Sequence, residues 1–575
     1  MGRIKRPTKR VTNTGQRGFG FAVPPVPGPS APKPLADSRF KDDEALSIFM
    51  GEQRLDAYLQ EAKMGWVLEL RQALAKLDYS LLTVRYSDRG RQAFHPRTVL
   101  GLILYGLFAR QQALRDLERL STLDVGAMWI CGGHRIDHST IGKFVQLHAE
   151  TLSEAFFVAV AGWVVQQLKL RAGTASIDGT VVESAGSHWK AIKAEAARLA
   201  ADEAQQAASA APHDEGLHAA AQAAAAVAAV AQARCARRQA QGKNVATVAV
   251  VPSDPEAVIQ PRKDGAHRPA YKPCTLMHED GVIVGQHVHP SSETAAVAPL
   301  LEQHREVFDA PPSTLLMDAG FHNGSLLGEL SEQGLDVLCP SGQAMGEDDW
   351  EKKGRHGLFG KSMFDYEQRR DAYQCPAEQW LTYSAQGTDG QGRPYRRYRT
   401  RACGTCALRA QCTPSRDGRS LKRYAGEEYK EAMMLVLQNP RARQAYRRRM
   451  AIAEPVHAEL RERLGLRRFH RRGLIGVRAE FALYCIAFNL KKALSHRPVV
   501  FVFVVSNRPG RRRHQVALVW AIAVIDLFHG ESVSPLSHPR SVAHLSTLST
   551  GRGPVRGSDD QRDASPLGPT LQRHW

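Results

Sequence analysis

Three acidic residues separated by long stretches of chain offer the clearest chemistry in this sequence. Asp178 lies in TASIDGTVVES, Asp318 in TLLMDAGFHN and Glu454 in YRRRMAIAEPVHAEL. The first two sit at the ends of short apolar runs of strand character, and the third lies in a basic helical stretch. Each aspartate has an ordinary explanation, because Asp before Gly commonly bonds its own backbone in a turn. In open α/β sheets, however, sites gather at the carboxyl ends of strands. Carboxylates drawn there from two strands and a helix are what a pair of divalent cations needs around a phosphodiester.

The surroundings of Glu454 sharpen this. Its stretch holds Arg441, Arg443, Arg447, Arg448, Arg449, Arg461, Arg463, Arg467, Arg468, Arg471 and Arg472. A solvated face of i,i+4 Glu–Arg pairs is the plain alternative, but the positive excess is large enough to call for an external anion. Arg447, Glu454 and Arg461 are spaced seven apart and fall near one helical face. A carboxylate flanked by guanidinium groups suits holding a metal while gripping phosphates on either side.

A second set of chemically capable residues is Cys375, Cys403, Cys406 and Cys412, a C-x27-C-x2-C-x5-C pattern in a segment poor in apolar periodicity. Four thiolates with one CxxC fit a tetrahedral structural zinc, and such a segment needs a staple. Four unrelated thiols, given the long first gap, is the other reading. Cys131, Cys235, Cys274, Cys339 and Cys485 read as core or incidental residues.

The elements that would position these groups can be read in outline. At 575 residues the chain calls for two to four domains. A net charge of +19 favours a polyanionic partner, nucleic acid or an acidic membrane surface. The longest apolar runs are too short to span a bilayer, and no apolar segment follows the basic N-terminus. An odd set of nine cysteines argues against a disulfide framework and for a reducing cytoplasm. Residues 1–45, with PPVPGPSAPKP, read as a disordered basic arm. Helical patterning fills 46–170, where RIDHSTIGKFVQLHAETL reads either as the recognition helix of a helix-turn-helix or as a bundle helix. Strands then alternate with helices, implying an α/β or α+β core with a partly parallel sheet. Ala-rich sequence over 190–243 reads as inserted helices, and helical pattern resumes from Glu427 to Leu494. Beyond 497, apolar runs give way to a Ser/Pro/Arg-rich end expected to be largely disordered.

Taken in order, IDGT, MDAGFHN and Y-x2-R-x4-EP-x5-R resemble the DDE transposases of bacterial insertion sequences, most of all the group with a Tyr-Arg-Glu-Lys signature. That signature falls on Tyr446, Arg449, Glu454 and Arg461. The Arg-to-Glu interval is one residue longer than the common pattern, and Arg461 stands where lysine is usual. FHPRTVLGLILYG, IDHSTIGKF and RRFHRRGLIGVRAEFALYCIAFNLKKAL extend the likeness over about residues 50–496. The resemblance implies an α/β fold with an RNase-H-like mixed sheet flanked by helices over 171–496, carrying Asp178, Asp318 and Glu454 as catalytic metal ligands. An N-terminal all-α DNA-binding domain (46–170), the Ala-rich helical insertion and a four-cysteine insertion (365–425) would complete it. It further implies two Mg²⁺ (or Mn²⁺) ions, one structural Zn²⁺ on the four cysteines, and double-stranded DNA as partner, bound by a homodimer in the nucleoid. Tyr446, Arg447, Arg449, Arg461, Arg467 and Arg468 are the expected DNA contacts. A catalytically inactive, transposase-derived DNA-binding protein is the alternative, and a stand-alone RNase-H-like nuclease a third.

Overall fold

The computed structural model describes residues 39–262, 265–341, 358–389 and 392–495. Most of the expected basic arm and all of the tail from 497 lie outside the described residues.

Besides a single helical turn at Ser80–Thr83, seven helices come first among the described residues: α1 (Leu55–Glu61), α2 (Gly65–Ala75), α3 (Pro96–Phe108), α4 (Leu114–Leu123), α5 (Val125–Ile130), α6 (His138–Ser153) and α7 (Ala155–Leu168). Local chemistry sets their starts. His95 caps α3 through Nδ1 and Pro96 occupies its first position, where a missing N–H costs nothing. Asp124 caps α5 and Asp137 caps α6, each accepting a backbone N–H from the first turn. In α6 the buried face is Ile141, Phe144, Val145, His148 and Leu152, so this helix is built into the core along one side. Among the described residues no single helix is long and apolar enough to cross a membrane.

A seven-stranded mixed sheet follows, made of β1 (Thr174–Gly179), β2 (Val182–Glu183), β3 (Val258–Pro261), β4 (His267–His278), β5 (Ile283–His289), β6 (Thr314–Leu316) and β7 (Val337–Leu338). Its order is β7-β6-β1-β4-β2, with β3 and β5 also on β4. Strands β7, β6 and β1 run parallel, and β4 is antiparallel to β1. Between β2 and β3 stand the Ala-rich helices α8 (Ala194–Ala210) and α9 (Glu215–Ala240), which share a small core of Ala197, Val227, Ala231 and Val250. Asp214 caps α9. The crossovers β5 to β6 and β6 to β7 carry α10 (Val297–Phe308) and α11 (Gly324–Glu332).

Period-two alternation gives the sheet two buried faces. Ala175, Ile177, Cys274, Leu276, Leu315 and Met317 pack on one side with Val297, Leu300 and Leu301 of α10. Met277, Ile283, Leu316 and Leu338 face the other side, where they join the N-terminal helices and the last described helices in one large core.

Residues 365–424 form an antiparallel sheet in simple order: β8 (Asp365–Glu367), β9 (Ala372–Gln374), β10 (Trp380–Thr388), β11 (Pro394–Arg399) and β12 (Ser420–Tyr424). Its core is aromatic, with Phe364, Tyr373, Tyr398, Leu381 and Leu421 buried. Arg423 lies 3.7 Å from the Tyr366 ring centroid and pairs with Glu431 at 2.6 Å. Apolar periodicity failed to signal this sheet because its strands carry few aliphatics beyond Leu381 and Leu421, and aromatic rings with Arg423 do much of the packing.

Three helices complete the fold: α12 (Glu427–Val436), α13 (Pro440–Ala458) and α14 (Leu474–Ser495). Helix α14 is buried almost all round, from Val477 to Leu490. Its Asn489 accepts from Ile283 N at 2.9 Å and donates to Ile283 O at 2.7 Å, satisfying β5 where the β4–β5 register slips. Glu480 accepts the backbone N–H groups of His470 and Arg471, so this buried acid fixes the loop entering α14.

Candidate active site

Register brings the two aspartates together. Leu316 of β6 pairs with Ser176 of β1 in parallel, so two residues further on Asp318 lies beside Asp178 at the carboxyl ends of neighbouring strands. Asp178 Oδ1 accepts from Gly179 N at 3.0 Å, and Asp318 Oδ1 from Gly320 N at 2.8 Å. Both therefore make the local turn bonds their sequences suggested.

Helix α13 supplies the third side. Asn439 caps it and Pro440 takes its first position, and Ile452, Ala453 and Val456 bury one stripe against the sheet. That stripe carries Arg449 inward. Arg449 Nη2 donates to Asp178 Oδ1 at 2.9 Å and lies 3.8 Å from Asp318 Oδ2. His457, two turns along, places Nε2 3.4 Å from Asp178 Oδ2. Tyr446 is half-buried beside the same group, and burial is the main cause pushing its phenol up.

Beyond Ala458 the helix widens into a π turn over Glu459–Arg463. Such a turn accumulates less rotation per residue, as is frequent at functional sites. The expectation that Arg447, Glu454 and Arg461 share a face is corrected here. Arg461 is swung towards the sheet and donates to Thr180 Oγ1 at 3.1 Å, whereas Arg447 and Glu454 are exposed. Glu454 makes no hydrogen bond or ion pair among the described residues. No three His, Cys, Asp or Glu side chains among them lie close enough to hold one ion.

The basic stretch is also better neutralised than its composition implied. Arg448 pairs with Glu279, and Arg467 with Glu462. Arg468 donates to Ser184 O at 2.9 Å and Ala185 O at 3.1 Å, tying the chain after α13 to the end of β2.

The four cysteines are free thiols and half-buried, and no three of them are placed closely enough to hold one ion. Burial pushes the Cys412 thiol up, and Cys403, Cys375 and Cys406 add to this against the opposing charge of Arg419.

Residues that sequence reasoning passed over include His457, Thr180, Lys272 and Glu293. His457 was signalled only by lying one turn past Glu454. Lys272 Nζ donates to Glu293 Oε1 at 2.9 Å at the rim of the aspartate pair, and neither belonged to a recognisable motif.

Comparison with known families agrees with this geometry at both ends of the fold. Residues 56–147 match the family model of a transposase domain, and residues 374–494 match that of a transposase DDE domain. Glu454 falls inside the second match, and Asp178 and Asp318 lie between the two. No curated protein matches the chain. Two transposase domains around a strand-end aspartate pair define a DNA transposase. The two matched segments together support an insertion-sequence DDE transposase.

Proposed function

We propose that this transposase binds the terminal inverted repeats of its own element, cleaves a phosphodiester there and joins the freed 3′-OH to target DNA. The observation that carries the proposal is the pair Asp178 and Asp318, side by side at parallel strand ends with the Arg449 guanidinium lodged between them. A positive group already occupies the place where a divalent cation would sit, and two hard oxygen donors suit Mg²⁺ or Mn²⁺. When bound, two such ions would supply an acidified nucleophile and a stabilised leaving oxygen. Asp178 and Asp318 would hold them, with Glu454 brought in from α13.

The chain's own residues do the remainder. Arg449 and Arg461 position phosphates at the strand ends, contributing register without reading sequence. The exposed Arg447 extends that contact along α13, with Tyr446 beneath it. Arg467 and Arg468 belong to this surface only in exchange for the internal partners they hold. In this proposal the mixed sheet is RNase-H-like, the N-terminal helices recognise the repeats, and two copies act on paired ends in the cytoplasm. One zinc on Cys375, Cys403, Cys406 and Cys412 staples the antiparallel sheet.

The exposed, unattached position of Glu454 favours one second reading, a DNA-binding protein that has lost cleavage. Incubation of the purified chain with the element's ends and Mg²⁺ separates the two. Cleavage that disappears in Asp178→Asn, Asp318→Asn and Glu454→Gln supports the enzyme. Specific binding without cleavage by the wild type supports the second reading.

A further inference from the structure

The antiparallel sheet over 365–424 divides its charge unevenly between its two faces. Register puts Tyr366, Tyr373, Leu381, Tyr398 and Leu421 on the inner face, together with Arg396 and Arg423. Both of these arginines are matched, Arg396 by Asp371 and Arg423 by Glu431. The outer face carries Arg397, Arg399 and Lys422 side by side on β11 and β12. Arg399 finds only the exposed Asp417, at 4.0 Å. Arg397 and Lys422 hold no carboxylate among the described residues.

Tyr395 lies between these two cations instead. Arg397 Nη2 donates to its hydroxyl at 2.8 Å, and Lys422 Nζ lies 4.2 Å from its ring centroid. The Arg397 hydrogen bond, ahead of the charges of Arg397 and Lys422, holds the Tyr395 phenol below its ordinary value. Tyr424 stands beside it with ring centroids 5.9 Å apart, and Arg393 lies 4.9 Å from the Tyr424 ring. Rings steady the cations without cancelling their charge, so less ordering is left to be lost when an anion binds. The acids of this face, Asp365 and Glu367, lie on β8, three strands from β11. At about 4.8 Å per strand that is roughly 14 Å, beyond the screening length of about 8 Å at physiological salt. Basic side chains interleaved with aromatic rings suit a nucleic-acid backbone.

The chain path ties this face to the aspartate pair. Strand β12 ends at Tyr424. Two residues on, Gly426 packs against Gly324 so closely that a methyl at Gly324 would overlap the Gly426 carbonyl. Gly324 follows Asp318 by six residues. Extended chain over these intervals keeps Tyr424 within roughly 35 Å of Asp318, about one turn of duplex DNA.

We propose that the outer face of this sheet is a second DNA contact, in which Arg397, Lys422 and Arg399 grip backbone phosphates about one duplex turn from the aspartates. This rests on the transposase function proposed above and lies outside the residues used there. Such contacts add affinity and hold register without reading sequence.

The test is equilibrium binding of the purified full chain to a duplex of arbitrary sequence, about 40 base pairs long, in EDTA across a range of salt. Each phosphate contact contributes about 0.9 to the slope of log affinity against log salt. Arg397→Gln combined with Lys422→Gln is expected to lower that slope by about 1.8 and to weaken binding about tenfold or more. Arg396→Gln, on the matched face, is expected to change neither quantity, and Arg397→Lys to keep the slope. Wild-type slope and affinity in the double variant overturn this inference, while duplex binding itself leaves the transposase function standing. A loss of the same size in Arg396→Gln also overturns it, because the effect then does not belong to the outer face. A wild type that binds no duplex overturns the proposed function and this inference together. Should the double variant melt early, Lys422→Gln decides alone, since that side chain is exposed. An unchanged slope there counts against the proposal.

Discussion

Arg449 of α13 donates to Asp178 of β1 at 2.9 Å, closing a contact across 271 residues of sequence. The guanidinium is only 14% exposed, which makes the pair part of the structure rather than a surface accident. It neutralises the aspartates, and under the proposed function it would have to yield to a cation. Arg449→Met is therefore expected to raise Mn²⁺ affinity severalfold in the absence of DNA. End cleavage should fall by about a hundredfold through loss of a positioned phosphate contact. Arg449→Lys should not rescue cleavage, since a compact ammonium cannot bridge two carboxylates as a planar fork does. Unchanged Mn²⁺ affinity in Arg449→Met would show that the arginine does not compete for the site.

Glu454 invites the opposite expectation. It is exposed and holds no partner among the described residues, so Glu454→Gln should leave the unfolding free energy within about 0.5 kcal/mol of wild type. Its effect on end cleavage should be far larger, about a hundredfold or more. Chemical denaturation and a cleavage assay on the same preparation separate the two. A variant that is destabilised yet still cleaves would remove Glu454 from the site.

These two residues mark how far the sequence could be read. The strand-end placement of Asp178 and Asp318 followed from short apolar runs ending in acid. Their adjacency did not, because it depends on the parallel register of β6 on β1. The helical course of α13 was legible, but its π turn was not, and that turn decides that Arg461 faces the sheet while Arg447 does not. Arg468 looked like a phosphate ligand by charge alone; only tertiary contact reveals that it binds the Ser184 and Ala185 carbonyls. The sheet over 365–424 escaped because its small core draws only one or two buried residues, Phe364, Tyr373, Leu381, Tyr398 and Leu421, from each strand or its edge.

The cysteine cluster yields a compositional prediction. If the four thiols draw together on a zinc, metal analysis of the purified chain should return one zinc per molecule. Cys406→Ser should lose it and lower the melting temperature, since a small aromatic core is then left without its staple. Folded, active protein free of zinc would refute this.

Acid sensitivity should come from buried histidines. Burial holds His148, His287 and His304 down at about 4, with Arg85 and Arg478 adding to the effect on the first two and His278 and Arg305 on the third. They stay neutral in the folded chain while the unfolded chain protonates near the ordinary value. Their contribution is thus fully present above pH about 6.5 and is lost as pH falls towards 4, by roughly 3 kcal/mol each at most. His470 has the opposite sign. Its hydrogen bond to Glu480 raises it, so its contribution is present at lower pH and fades as pH rises through its folded value. Melting temperature should fall steeply from pH about 6.5 to about 4, and His304→Gln should flatten that slope. An unchanged slope would mean that His304 is already charged when folded.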